Sequence, residues 1–281
     1  MQGLTTETID RTKAIMENKR QALFDKYRVK YPDEYISDLF LLEAGRAERA
    51  EKVCEGCKGY PCRKSTNKGF QHLVKAEGGI LSVKYMFCPH AIIARNKVAA
   101  NIPPMYADKT FADYDIDAGN ASVVKAAKSL PNLYIYGVPG CGKTFLASIM
   151  ANEFLAQGKS VVFVDTPSLL DKMKSTFGKE SEASTDYLMS RLARVDVLVL
   201  DDLGTENPTQ WAVERLYLVI NARYNAQKAL IVTSNYDLEQ LANRLNNPTN
   251  GEGGVTGSRI ASRIKGLCKI ANIKGKDKRR I

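Results

Sequence analysis

From residue 130 onward, short unbroken apolar runs alternate with longer stretches in which apolar side chains recur every three or four positions. The unbroken runs fall at 133–136, 161–164, 197–200 and 230–233. A strand with one face in water alternates apolar and polar residues, so continuous runs predict strands buried on both faces. Between them KTFLASIMANEFLAQG, a long segment from 168 to 193, and QWAVERLYLVINARYNAQ read as helices. Strand and helix in alternation predict an α/β fold, a parallel sheet flanked by helices.

The first half is patterned differently. TTETIDRTKAIMENKRQALFDKYR opens on capping threonines, and Ile9, Ala14, Met16, Ala22, Leu23 and Phe24 fall near helical spacing. PDEYISDLFLLEAGRAERAEK places Pro32 in a plausible first turn with acids behind it. Residues 51–95 are rich in cysteine, and NKVAANIPPMYADKTFADYDIDAGN is rich in turn formers. The expected organisation is a small helical, cysteine-bearing domain over 1–95, a linker over 96–120 and an α/β domain over 121–281.

The first strand runs into GVPGCGKT at 137–144, which fits the phosphate-loop pattern G-x4-G-K-[ST] with a strand before it and a helix after it. Gly137, Pro139, Gly140, Cys141 and Gly142 are expected at the nucleotide, the glycines letting backbone N–H groups curl around a β-phosphate at the positive end of the following helix. Lys143 is expected on the β- and γ-phosphates and the Thr144 hydroxyl on Mg²⁺. VLVLDDLG then ends a strand in Asp201, the expected Mg²⁺ partner, and Asp202, expected to orient an attacking water. LIVTSN ends in Asn235, placed to sense the γ-phosphate or its water. The pattern predicts binding of ATP and its hydrolysis.

Four cysteines, Cys54, Cys57, Cys62 and Cys88, have the spacing C-x2-C-x4-C-x25-C, and His90 or His72 could replace one of them. That set predicts a structural Zn²⁺ site, whose four tetrahedral ligands are thiolates or imidazoles. Cys268 reads as packing. Cys141 reads as a small tolerated residue, or as a thiol whose pKa the helix N-terminus lowers. The formal charge of +10 is uneven: residues 257–281 hold nine cations against Asp277 alone, which suits nucleic acid. No signal peptide or membrane span is visible, so a cytoplasmic protein with reduced cysteines and no membrane partner is expected.

Together GVPGCGKT, VLVLDDLG, IVTSN and the downstream GSRIASRI resemble the AAA+ ATPases of the DnaC/DnaI-type replicative helicase loaders, over about residues 100–280. The IstB-type transposition ATPases share most of these motifs. The resemblance implies that IPPMYADKTFADY lies by the adenine ring, and that Arg259 or Arg263 is an arginine finger acting on a neighbour's γ-phosphate. It therefore implies self-association. Arg279 falls where related ATPases often carry a second sensing arginine, and a chain stopping at Ile281 leaves no room for a C-terminal lid. Firmicute-type loaders and their phage relatives look similar in the cysteine-rich part, a zinc-bearing domain that docks on the helicase. The function implied is ATP-dependent loading of a hexameric replicative DNA helicase onto single-stranded DNA during replication initiation. An IstB-type transposition helper is the alternative nearest to it. A nucleotide-gated helicase-binding regulator without significant turnover is another. A replication initiator fits less well, since no duplex-reading domain follows the ATPase.

Overall fold

The structure, a computed structural model, describes residues 6–57, 59, 62–64, 66–175, 182–204, 209–246 and 254–278. The chain divides into two compact units, Met1–Ala94 and Arg95–Ile281.

In the first unit, helices α1 (Thr6–Arg28) and α2 (Asp38–Glu51) are followed by strands β1 (Phe70–Glu77) and β2 (Ile80–Phe87). Helix α3 (Pro89–Ala100) comes next. Ser37 caps α2, its hydroxyl accepting from the Phe40 N–H at 3.2 Å. The antiparallel hairpin corrects the expectation of a purely helical domain. Its turn is Gly78-Gly79, both at positive φ, which is the chemistry a two-residue hairpin loop demands. That pair in KAEGGIL is the sequence signal for the turn. Tyr27, Ile36, Phe40, Leu41, Ala44 and Leu81 form the core here, with Tyr27 edge-on to Phe40 at 4.9 Å. Among the described side chains, the last turns of α1 join it through Leu23, Phe24 and Tyr27, while Met16, expected on the same face, stands 64% exposed.

The second unit is the α/β domain. After α4 (Ala121–Ser129) come β3 (Leu133–Gly137), α5 (Lys143–Ala156), β4 (Val161–Asp165), α6 (Thr166–Ser175) and α7 (Glu182–Arg194). Then follow β5 (Val197–Asp201), α8 (Gln210–Asn225), β6 (Ala229–Ser234), α9 (Leu238–Asn246), α10 (Thr256–Leu267) and β7 (Lys269–Ile273). Among the described residues the sheet has five strands, all parallel, in the order β4-β5-β6-β3-β7. Successive side chains feed opposite cores. Tyr134, Leu198, Leu200, Leu230 and Val232 pack on one face with residues of α6 to α10. Leu133, Ile135, Val197, Val199 and Ile231 pack on the other with residues of α4 and α5. This is why the runs are unbroken: a strand covered on both faces has no polar side.

Three expectations change here. The segment 168–193 holds parts of two helices, α6 and α7, with residues 176–181 outside the described residues. The fifth strand, β7, lies in a stretch that reads as basic tail. KIANI has no unbroken apolar run because β7 is covered mainly at Ile273, its other side chains being half-buried or exposed. Residues 96–120, expected as a linker, lie in the second unit, where Tyr114 and Asn120 are buried.

Candidate nucleotide-binding site

The carboxyl ends of β3, β5 and β6 lie side by side, and the motif residues converge there. Gly137 ends β3, and Gly142 caps α5 with φ of 97°, a left-handed conformation that glycine adopts without strain. A Cβ on Gly142 would lie 3.0 Å from the Tyr114 hydroxyl, which donates to the Gly142 carbonyl at 3.4 Å. Tyr114 also packs beside Phe145, on which Tyr106 stacks at 5.0 Å. The segment ahead of the phosphate loop is thus packed on the first turn of α5. Burial pushes the Tyr114 hydroxyl up to about 12.

Lys143 is 5% exposed, and its ammonium donates to the carbonyls of Gly137 and Val138, each at 3.0 Å, and to Asn235 Oδ1 at 2.9 Å. A buried ammonium has three protons to place, and all three are placed. The Thr144 hydroxyl donates to Asp201 Oδ2 at 3.0 Å. Asp201 Oδ1 accepts from the Thr233 hydroxyl at 2.6 Å, and the same Thr233 oxygen accepts the Asp202 N–H at 2.9 Å. Burial raises the Asp201 carboxyl to about 6, and the neighbouring Asp202 and Asp165 add to the shift. Asp202 sits at φ of 57°, so the chain turns sharply there and leaves the strand. Thr233 was missed in the sequence because threonine in an apolar run reads as a strand former. Tyr114 ends the segment IPPMYADKTFADY expected by the adenine ring, but an aromatic residue in a turn-rich stretch carries no spacing signal to single it out.

Arg259 and Arg263 share α10 but differ in surroundings. Arg263 Nε donates to Asn221 Oδ1 at 2.9 Å, and its guanidinium lies 4.8 Å from the centre of the Tyr224 ring. Arg259 is exposed. Arg279 lies outside the described residues. Cys141 is fully buried, and burial pushes its thiol up, against the lowering expected at a helix N-terminus. Cys268 is buried and packs in the sheet core, its thiol facing the Leu230 carbonyl.

In the first unit the Cys57 N–H donates to the Cys54 carbonyl at 3.1 Å, and the Cys88 N–H to the Gly69 carbonyl at 2.8 Å. Backbone N–H groups of Lys64 and Gly69 hold the Cys62 thiol below its ordinary range, while burial raises Cys54. Among the described residues, no three Cys, His, Asp or Glu side chains are grouped closely enough to hold a metal ion. His72 Nδ1 lies 2.8 Å from Glu51 Oε2, which also engages the buried Lys64 through its other oxygen. His90 lies beside Gly59.

A phosphate loop, a buried aspartate holding the loop's threonine, and a third strand whose asparagine receives the loop's lysine define a P-loop nucleotide-binding domain of AAA+ type. Residues 95–280 match the family described as IstB-like ATP binding protein, and the chain belongs to that family. It is 28% identical over 155 residues to the replicative helicase loader DnaC of Buchnera aphidicola from Schizaphis graminum, and 24% identical to that of Escherichia coli K12. These matches cover 52% of this chain and 63% of either relative. The replicative helicase loader DnaI of Bacillus subtilis is 24% identical over 248 residues, covering 81% of this chain and 79% of that one. A crystal structure of DnaI superposes with a TM-score of 0.54 and 26% identity, over 62% of this chain and 95% of that one. Among the described residues no helix is long and apolar enough to cross a membrane.

Proposed function

We propose that this chain loads a hexameric replicative DNA helicase onto single-stranded DNA, with ATP binding and hydrolysis timing the handover. The observation that carries this reading is the extent of the DnaI match. It covers 81% of the chain, more than the second unit contains, so the likeness runs into the first unit as well. A transposition helper, the reading that the IstB-like family description favours, leaves that extension without a role.

In this reading the loop from Gly137 to Thr144 binds ATP through its N–H groups, and Lys143 leaves Asn235 to meet the phosphates. Thr144 and Asp201, two adjacent oxygen donors at the foot of the loop, suit Mg²⁺. When bound, that ion neutralises charge on the β- and γ-phosphates. Asp202 orients the attacking water, and Asn235 reports on the phosphate. Arg259, exposed on α10, completes a neighbouring chain's site, whereas Arg263 braces α10 on α8. The exposed cations Arg259, Lys265, Lys269, Lys274 and Lys276 give single-stranded DNA a salt-sensitive footing.

The first unit binds the helicase, and Zn²⁺ on Cys54, Cys57, Cys62 and Cys88 holds its cysteine loop to its hairpin. What supports zinc is the C-x2-C turn and the two N–H groups aimed at the Cys62 sulfur, which favour the thiolate there, while burial opposes it at Cys54. Metal analysis of carefully prepared protein should find about one zinc per chain, and chelation should unfold the first unit while nucleotide binding persists. Protein free of zinc in that analysis removes the metal from the proposal.

The loader reading is tested by capture and loading of a purified hexameric helicase on circular single-stranded DNA, with and without ATP. Loading should need this chain and fail with Lys143→Ala. Failure of the parent chain to bind the helicase, with capture of a transposase instead, would move the assignment to the transposition helper.

A further inference from the structure

The basic C-terminal stretch contains one acid, Asp277, and the fold brings it onto the phosphate loop. β7 ends at Ile273 opposite Gly137, and the following residues cross the loop. The Lys274 N–H donates to the Gly119 carbonyl at 3.0 Å, and the Lys278 N–H donates to the Gly140 carbonyl, also at 3.0 Å. The Lys278 ammonium reaches Asp117 Oδ2 at 2.8 Å and Asp115 Oδ2 at 3.0 Å. The crossing segment is therefore held at both ends, by the residues ahead of α4 and by the loop itself. Between these anchors the Asp277 carboxylate lies against Gly140, filling the space a Cβ on that residue would need. Gly140 is at φ of 76°, so glycine is required there both by the backbone and by the carboxylate.

A carboxylate resembles a phosphate in what a loop of N–H groups and a helix N-terminus attract: negative charge and several acceptor oxygens. In this arrangement Lys143 turns inward to Gly137, Val138 and Asn235 and not out toward a ligand. A phosphate brought to the same loop is repelled by the Asp277 carboxylate, and because Asp277 is exposed that repulsion weakens with added salt. We propose that segment 274–278 is a built-in competitor for the phosphate site, in which the Asp277 carboxylate stands in for a nucleotide phosphate and must leave before ATP binds. The proposal rests on the nucleotide-site reading above, and it assigns the segment a regulatory role beyond contributing positive charge.

The consequence is quantitative. A ligand that binds only the open form has its apparent affinity reduced by the open fraction, so a segment docked nine-tenths of the time weakens binding about tenfold. Undocking precedes binding, so the change belongs to association of the nucleotide and not to its dissociation.

The test is stopped-flow binding of a fluorescent ATP analogue to the full chain and to its variants Asp277→Ala, Asp277→Asn and Lys278→Ala. Asp277→Ala and Lys278→Ala should each bind about tenfold tighter through faster association, with dissociation unchanged. Asp277→Asn keeps the shape without the charge and should move the same way. Unchanged or weaker affinity in both Asp277 variants overturns the proposal. Lys143→Ala separates the two levels. If it abolishes binding while the Asp277 variants behave like the parent chain, only the competitor is wrong. If Lys143→Ala binds nucleotide like the parent, the site reading fails and the competitor falls with it.

Discussion

One hydroxyl proton on Thr233 goes to Asp201, and the same oxygen receives the Asp202 N–H, so a single side chain fixes both acids of the strand end. Thr233→Val keeps the branched shape and leaves two buried polar groups without partners, a loss of about 2 kcal/mol by denaturant unfolding. Thr233→Ser should retain most of that stability. Asp201 sets the response to pH. Its folded pKa of about 6 lies above the unfolded value, so the folded state holds this proton more tightly. The stabilisation from this group is complete in acid below about pH 4 and is lost as pH rises through about 6. Asp201→Asn should flatten that part of the stability curve and raise the melting temperature at neutral pH. In the parent chain, Mg²⁺-dependent nucleotide binding should strengthen as pH rises through about 6, because the ion needs the ionised carboxylate; the Asn variant should lose the Mg²⁺ dependence. Lys143, Thr144, Asp201 and Asn235 were legible in the sequence because each has a fixed offset from the end of an apolar strand. Thr233 was hidden by its strand propensity. Of the two readings of Cys141, the lowered thiol does not hold, because burial outweighs the helix dipole at that sulfur.

Arg223 has no motif to announce it, yet it joins three elements. It is fully buried on α8 and donates to the carbonyls of Leu192 in α7 at 2.8 Å, Val195 at 3.0 Å and Asp196 at 3.1 Å, and also to Ala229 at the start of β6. The last carbonyls of α7 and the residues entering β5 and β6 are satisfied by one planar fork, a job suited to a guanidinium. Burial pushes Arg223 down to about 10. Arg223→Met should destabilise the second unit by about 3 kcal/mol or more in urea unfolding, since it strands several buried acceptors. Arg223→Lys should recover only part of that loss. Elements buried on both faces were legible from pattern alone. β7 and the β1–β2 hairpin were not, since a strand covered mainly at one residue and a half-exposed ribbon lack a continuous apolar run and here carry lysines besides.

At the scale of the whole molecule the proposed assembly turns on α10. Arg263 is held by Asn221 and Tyr224, so its loss should cost stability first, whereas Arg259→Ala should leave the fold intact. If Arg259 acts on a neighbour, its removal should lower ATP turnover by about 10³-fold. Mixing Arg259→Ala with Lys143→Ala should then restore activity, because the intact loop of one chain borrows the arginine of the other. A mixture as inactive as its components would place the arginine's action within its own chain. The α/β domain was legible from the alternation of its runs, and the phosphate site from the motifs at their ends. The tail's path over the loop was not, because only the pairing of β7 with β3 brings Asp277 there. The sheet itself has a further consequence. Since consecutive residues of β5 feed opposite cores and the fifth is Asp201, adding or removing one residue within that strand turns the apolar side chains to the wrong faces and swings the carboxylate away from Thr144. Packing and aim are set in one phase. A chain that has folded its sheet has already aligned the Asp201 carboxylate with Thr144, so that pairing needs no separate adjustment.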